Sequence, residues 1–114
     1  MEKKSMKKIS KKQLERILAE HILWRKGIRG SKADLSGTDL SGIDLSGAHL
    51  FGANLSGADL SGANLCSAQL NSANLCDANL SGADLSGANL KNADLSHANL
   101  SDADLGNANL SHAS

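Results

Sequence analysis

The chain has 114 residues, 21% of them charged, with twelve Lys/Arg against twelve Asp/Glu, two cysteines, and Trp24 and Phe51 as its only large aromatic side chains. That length suits one domain, no apolar run approaches the roughly 20 residues needed to cross a bilayer, and no apolar signal core follows the basic start. These features predict a cytoplasmic protein without a membrane span. The balanced charge hides an asymmetry: residues 1–32 carry eleven Lys/Arg against three Glu, whereas residues 33–114 carry Lys91 alone against nine Asp.

The first element in chain order is a helix. Ser10 with Gln13 three residues on fits a capping box, and Ile9 with Leu14 occupies the positions of a hydrophobic staple. A helix starting near Lys11 then carries Leu14, Ile17, Leu18, His21 and Ile22 as an apolar stripe. Arg25 and Lys26 suit the negative end of the helix, and Gly27 suits its termination, so the helix is predicted to end near Lys26. The basic first dozen residues read as a solvated flexible tail, with contact to a membrane surface or nucleic acid as the alternative.

From residue 33 the sequence changes character. Leu occupies all sixteen positions from Leu35 to Leu110 in steps of five. Two residues earlier stands Ala, except at Thr38 and Ile43; one residue earlier stands Asp or Asn, except at His49 and Gln69. A period of five produces no stripe on an α-helix, where five residues advance about 140° net, and in a straight strand successive leucines would point to opposite sides. The pattern is satisfied only if the chain turns a corner once per unit, keeping each Leu and the preceding small residue inside. Ser, Gly, Asn and Asp after the leucine suit such corners.

Tandem units of the form A(D/N)LSG resemble the pentapeptide repeat family. The resemblance covers residues 33–113. It implies an all-β solenoid, a right-handed four-sided (quadrilateral) β-helix in which four units make one coil and residue i stacks on residue i+20. Sixteen units then give about four coils, roughly 19 Å of rod at about 4.8 Å per layer. The expected organisation is a basic tail and capping α-helix over residues 1–30 and the repeat β-helix over 31–114. Thr38 and Ile43, the bulkier replacements for Ala, fall in the first coil, where a docked helix shapes the packing.

Sorting by the twenty-residue coil places Asp44, Asn64, Asp84 and Asp104 in one column and Asp39, Asp59, Asn79 and Asn99 in the next, making two adjacent faces partly acidic. Asp39, Asp44, Asp59, Asp84 and Asp104 are therefore candidate partner-binding residues. Some members of the family resemble B-DNA in size and charge and bind type II topoisomerases such as DNA gyrase in place of DNA. This chain departs from them in its all-leucine interior, short rod, neutral Asn at half the candidate acidic positions and lack of a C-terminal dimerisation helix. The expected function is a protein-binding or structural scaffold with an unidentified protein partner and no direct nucleic-acid contact. The alternative is a DNA-mimicking binder of gyrase or another topoisomerase.

Catalysis finds no home in the sequence. Serines recur at corners as turn residues, and no G-x-S-x-G or phosphate-binding glycine loop occurs. His21 reads as a packing residue, and His49, His97 and His112 point outward and apart. No catalytic residue, cofactor or metal ligand is assigned. Phe51 follows a core leucine at a position otherwise small or polar; it is expected to lie under the N-terminal segment, the alternative being an exposed anchor for a partner.

Cys66 and Cys76 lie half a coil apart and so belong on opposite faces, too distant for a disulfide. Two free thiols are predicted, in keeping with a reducing compartment. At the far end Leu95, Leu100, Leu105 and Leu110 have core on one side only. Their open strand edges and apolar layer are expected to support a tail-to-tail homodimer.

Overall fold

The computed structural model describes residues 6–114. Its helix, α1, spans Lys11–Arg25. The Ser10 hydroxyl accepts the Gln13 N–H at 3.1 Å while Gln13 Oε1 accepts the Ser10 N–H at 2.7 Å, so two of the helix's otherwise orphaned donors are satisfied reciprocally. At the other end Gly27 turns left-handed at φ 77°, and the N–H groups of Gly27 and Ile28 donate to the carbonyls of Trp24 and Leu23, each at 3.0 Å. This double closure is a Schellman motif, which a glycine at that position makes inexpensive.

Beyond the helix the chain winds as a right-handed quadrilateral β-helix. Parallel pairings join residue i to residue i+20, from Asp34 with Asn54 through Asn89 with Asn109. They define four coils, residues 34–53, 54–73, 74–93 and 94–113. Each side of each coil offers a single paired residue to its neighbour, so the sheets are ladders one residue wide. Their hydrogen bonds are nonetheless regular: the Leu55 N–H reaches the Asn74 carbonyl at 2.7 Å, the Asn74 N–H returns to the Ala53 carbonyl at 2.9 Å, and the Gly57 N–H meets the Cys76 carbonyl at 2.8 Å.

The corner explains the period of five. At each one the Ala N–H folds back onto the preceding Leu carbonyl, as from Ala63 to Leu60 at 3.0 Å. The second residue after every leucine from Leu35 to Leu110 is left-handed, glycine at eight corners and Ser67, Ser72, Asp77, Asn92, His97, Asp102, Asn107 and His112 at the other eight, where φ lies between 58° and 62°. Positive φ at the third turn residue is what a type II turn demands. Non-glycine residues at this position take up a conformation that crowds Cβ against the backbone, with Asn and Asp the most tolerant.

Every Leu from Leu35 to Leu90 is at most 3% exposed, and the alanines from Ala53 to Ala93 fill the space between them. Burying one leucine contributes roughly 1.5–3 kcal/mol, so the leucine stack is the main driving force for the fold. Leu14 joins the same core from α1, with Ile9, Ile17 and Leu18 packed against it. The exceptions to Ala in the first coil both have reasons. Thr38 is buried but donates its hydroxyl to the Leu35 carbonyl at 2.6 Å, and Ile43 lies with Leu14 and Leu18 along the groove under the helix.

The segment before the helix departs from the expected solvated tail. Lys7 pairs in parallel with Thr38, its N–H donating to the Gly37 carbonyl at 3.1 Å and its carbonyl accepting the Asp39 N–H at 2.8 Å. The open upper edge of the first coil offers unpaired backbone groups, and this segment satisfies some of them. The first five residues of that basic stretch lie outside the described residues.

Candidate functional site

The repeat's Asp/Asn position, the residue before each leucine, is first of all a structural device. From Asp34 to Asn109, each Asp or Asn there accepts through Oδ1 the backbone N–H two residues on, at 2.9–3.1 Å. These are Asx-turns, and they tie down a corner donor that the coil ladder does not use. Where serine follows the leucine its hydroxyl often donates to the same oxygen, as from Ser41 to Asp39 at 2.7 Å and from Ser86 to Asp84 at 2.6 Å. His49 and Gln69 lack this short amide or carboxylate, and both lie on one side of the coil.

Those bonds set the electrostatics. The Ser36 hydroxyl and N–H hold the Asp34 carboxyl below the ordinary range; Ser41 does the same to Asp39, Ser86 to Asp84 and Ser96 to Asp94. At Asp44 the Ser46 N–H has the larger effect and its hydroxyl the next. Hydrogen bonds to the charged form favour that form, so these side chains present fixed negative charge at neutral pH.

The pairings put the charges in columns as expected. Asp44, Asn64, Asp84 and Asp104 stack on one side, and Asp39, Asp59, Asn79 and Asn99 on the next. Asp44 and Asp104 are exposed; Asp39, Asp59 and Asp84 are half-buried in their corners. A third column, Asp34, Asn54, Asn74 and Asp94, adds two more acids on a further side. The fourth side, with His49, Gln69, Asn89 and Asn109, has none. The rod is thus acidic on three sides and uncharged in the column of the fourth.

Phe51 lies beside that fourth side and is half-buried. The Arg25 guanidinium stands over its ring, 4.0 Å from the centroid, a cation–π arrangement. The neighbouring Trp24 stacks on His21 with ring centroids 5.2 Å apart and reaches over Gly52. His21 is only 1% exposed, and its Nδ1 accepts the Ala33 N–H at 2.9 Å. The sequence placed His21 on the packing stripe, but its bond to the first repeat carries no signal in any local motif.

Cys66 and Cys76 are both free and partly exposed. The Cys66 sulfur accepts from Ser86 at 3.5 Å, while Cys76 lies against Asp77. At the last coil Leu95, Leu100 and Leu105 are partly buried and Leu110 is 41% exposed. Among the described residues no group of His, Cys, Asp and Glu is arranged to hold a metal ion, and no helix is long and apolar enough to cross a membrane.

A leucine-cored square coil with Asx-closed corners and charge displayed on its sides defines a repeat solenoid. The chain belongs to the pentapeptide repeat family: the pentapeptide repeat profile matches eight copies over residues 31–65, 68–107 and 88–114. Proteins of this family are generally non-enzymatic scaffolds. Among solved structures, the chain is similar to HetL from the cyanobacterium Nostoc sp. strain PCC 7120, a pentapeptide repeat protein involved in heterocyst differentiation regulation. That similarity has 46% identity over 70% of this chain and 37% of HetL, with a TM-score of 0.69. It is also similar to Rfr23 from the cyanobacterium Cyanothece 51142, at 40% identity over 68% of this chain and 56% of that one, with a TM-score of 0.55. QnrB1, a plasmid-mediated fluoroquinolone resistance protein, shares 27% identity over 78% of this chain and 59% of its own, with a TM-score of 0.35. The chain therefore spans well under two thirds of HetL and of Rfr23. No curated protein matches it.

Proposed function

We propose that this chain is a non-enzymatic, cytoplasmic protein-binding scaffold, with residues 1–30 as a basic cap and residues 31–114 as the binding rod. The observation that carries this reading is the set of carboxylates held by Asx-turns on three sides of one rigid coil. Fixed charges on a pre-organised surface lose little side-chain entropy on binding. They also steer a partner of opposite sign. The partner is a protein with a basic groove, meeting Asp39, Asp59, Asp44, Asp84 and Asp104. Direct nucleic-acid contact is disfavoured by the same charge.

Capture from an extract of the native host on the immobilised chain, followed by a salt gradient, tests this reading. A basic protein eluting as ionic strength rises supports it, and retention of nothing above a matrix control contradicts it.

A second reading, a DNA-mimicking binder of DNA gyrase or another topoisomerase, draws on the same carboxylate columns. The neutral Asn64, Asn79 and Asn99 within them weaken it. Gyrase supercoiling assays decide it: unchanged supercoiling at high micromolar protein removes the mimic.

The exposure of the last leucine layer supports a homodimer formed through Leu95, Leu100, Leu105 and Leu110. Light scattering of the intact chain against Leu105→Lys tests that contact. A dimer made monomeric by the substitution supports it, and a monomer in both contradicts it.

A further inference from the structure

In the lower coils every backbone N–H in the column of Asp44 meets the coil above: Asn64 donates to Ile43, Asp84 to Ala63 and Asp104 to Ala83, at 2.8–2.9 Å. Asp44 itself, at the upper edge of the first coil, donates its N–H to no described residue, and its carbonyl and that of Ser46 accept from none. Beside this edge runs a groove of about 430 Å³ between α1 and the first coil, with Leu14, Leu18, Ile43 and Leu45 on its walls. Ile43 is only partly buried, whereas Ala63 and Ala83, in the same inward column, are each 1% exposed. The helix thus leaves one side of the apolar layer uncovered. Glu15, Asp39 and Asp44 line the groove together with Lys11, so its net charge is negative.

The neighbouring side shows how such an edge is filled. Lys7 offers its carbonyl to the Asp39 N–H at 2.8 Å. The Asp39 carboxyl, held down first by its Ser41 bonds, is lowered further by the charge of Lys8, and Ile9 packs on the core. The edge there accepts a basic residue near the acid, followed by an apolar residue turned inward.

We propose that the Asp44 side takes an extended segment of a partner protein as an added parallel strand, with a Lys or Arg above Asp44 and a large aliphatic residue next to it in the groove. The residue before the cation accepts the Asp44 N–H, as Lys7 accepts from Asp39. The residue after it donates to the Asp44 carbonyl, as Leu45 does to the Asn64 carbonyl at 2.7 Å one coil lower. Main-chain bonds at an open edge supply affinity, and alternate side chains supply selection. At about 4.8 Å between layers the added cation stacks on the Asp44 carboxylate, whose Oδ1 is held by Ser46 while Oδ2 takes no part in those bonds. The site rests on the scaffold reading for its partner being a protein, and it names the element of that partner which docks.

The test is an NMR titration of the intact chain with the capped peptide acetyl-Thr-Val-Lys-Ile-Thr-amide. Saturable shifts at the Ile43, Asp44 and Ser46 amides and the Leu18 methyl groups are expected, with a Kd on the order of 1 mM and slowed exchange of the Asp44 N–H. Methylating the Ile nitrogen of the peptide removes the donor to the Asp44 carbonyl and should weaken binding at least about fivefold. Asp44→Asn keeps the Asx acceptor and should weaken the parent peptide about threefold. Equal binding of the N-methyl peptide, undiminished binding by Asp44→Asn, or no saturation at about 20 mM with a folded amide spectrum overturns the site. The same shifts arising from protein concentration alone also overturn it, by assigning the edge to a second copy. Capture of a native partner without peptide binding rejects this site alone, and peptide binding without capture rejects the scaffold reading alone.

Discussion

His21 Nδ1 accepts the backbone N–H of Ala33 at 2.9 Å across a separation of twelve residues. This bond attaches the capping helix to the first residue of the repeat core, and the buried imidazole makes it only while Nδ1 is unprotonated. Desolvation, with smaller effects from Lys32 and Arg25, holds the His21 pKa below its ordinary value. The unfolded chain therefore binds more protons, and stability falls as pH drops below about 6.5. Chemical denaturation at pH 7.5 and 5.5 should show this loss, and His21→Gln should remove most of that slope. His21→Ala should cost about 2–3 kcal/mol at neutral pH, from the orphaned Ala33 N–H and the emptied volume.

The Asx corners separate charge from fold. Asn74→Ala removes the acceptor for the Cys76 N–H and should cost about 1 kcal/mol in urea denaturation. Asp84→Asn keeps an Oδ1 acceptor and should leave neutral-pH stability nearly unchanged. Because serine bonds depress the Asp84 carboxyl, its contribution is present above the ordinary carboxylate pKa and is lost as pH falls below about 4. Acid titration of the variant should show a shallower loss than the parent chain.

Left-handed corners differ in what they tolerate. His97 holds φ 61° with a full side chain, whereas Gly57 holds φ 66° with open space around a notional Cβ. His97→Gly should stabilise by about 0.5–1 kcal/mol, the relief of backbone crowding exceeding the added unfolded-state entropy. Gly57→Ala should destabilise by about 1 kcal/mol from the dihedral alone. Paired thermal melts measure both.

Much of this architecture was legible because the repeat states it sixteen times. The inward Leu and Ala, the free cysteines, the capping box at Ser10 and Gln13, and the acidic columns all follow from spacing, given a four-sided coil. What was hidden depends on contacts between distant segments. Neither the Lys7 pairing with Thr38 nor the His21 bond to Ala33 leaves a local pattern, because each partner is chosen by where the helix lands on the first coil. Asp34 and Asp94 form a third acidic side that the same twenty-residue sorting also yields, with Asn54 and Asn74 between them. Phe51 is legible as an anomaly, but Arg25 over its ring is visible only in three dimensions.

The thiols offer a test of the coil register. Cys66 contacts Ser86 and Cys76 contacts Asp77, so the two sulfurs have different surroundings. Titration of the native, unreduced protein should find both thiols free. Partial burial, and then the Asp77 carboxylate, push the Cys76 thiol up, so it should alkylate more slowly near pH 8 than an unstructured peptide thiol. Asp77→Asn should speed that reaction.

The scaffold reading is tested most directly by capture of the native partner with the parent chain and with the triple variant Asp44→Asn, Asp84→Asn, Asp104→Asn, each first shown to melt at a similar temperature at neutral pH. The substitutions preserve the Asx acceptors while removing three charges from one side. The partner held by the parent chain should be lost or sharply reduced on the folded variant. Capture of the same partner in the same amount would contradict it.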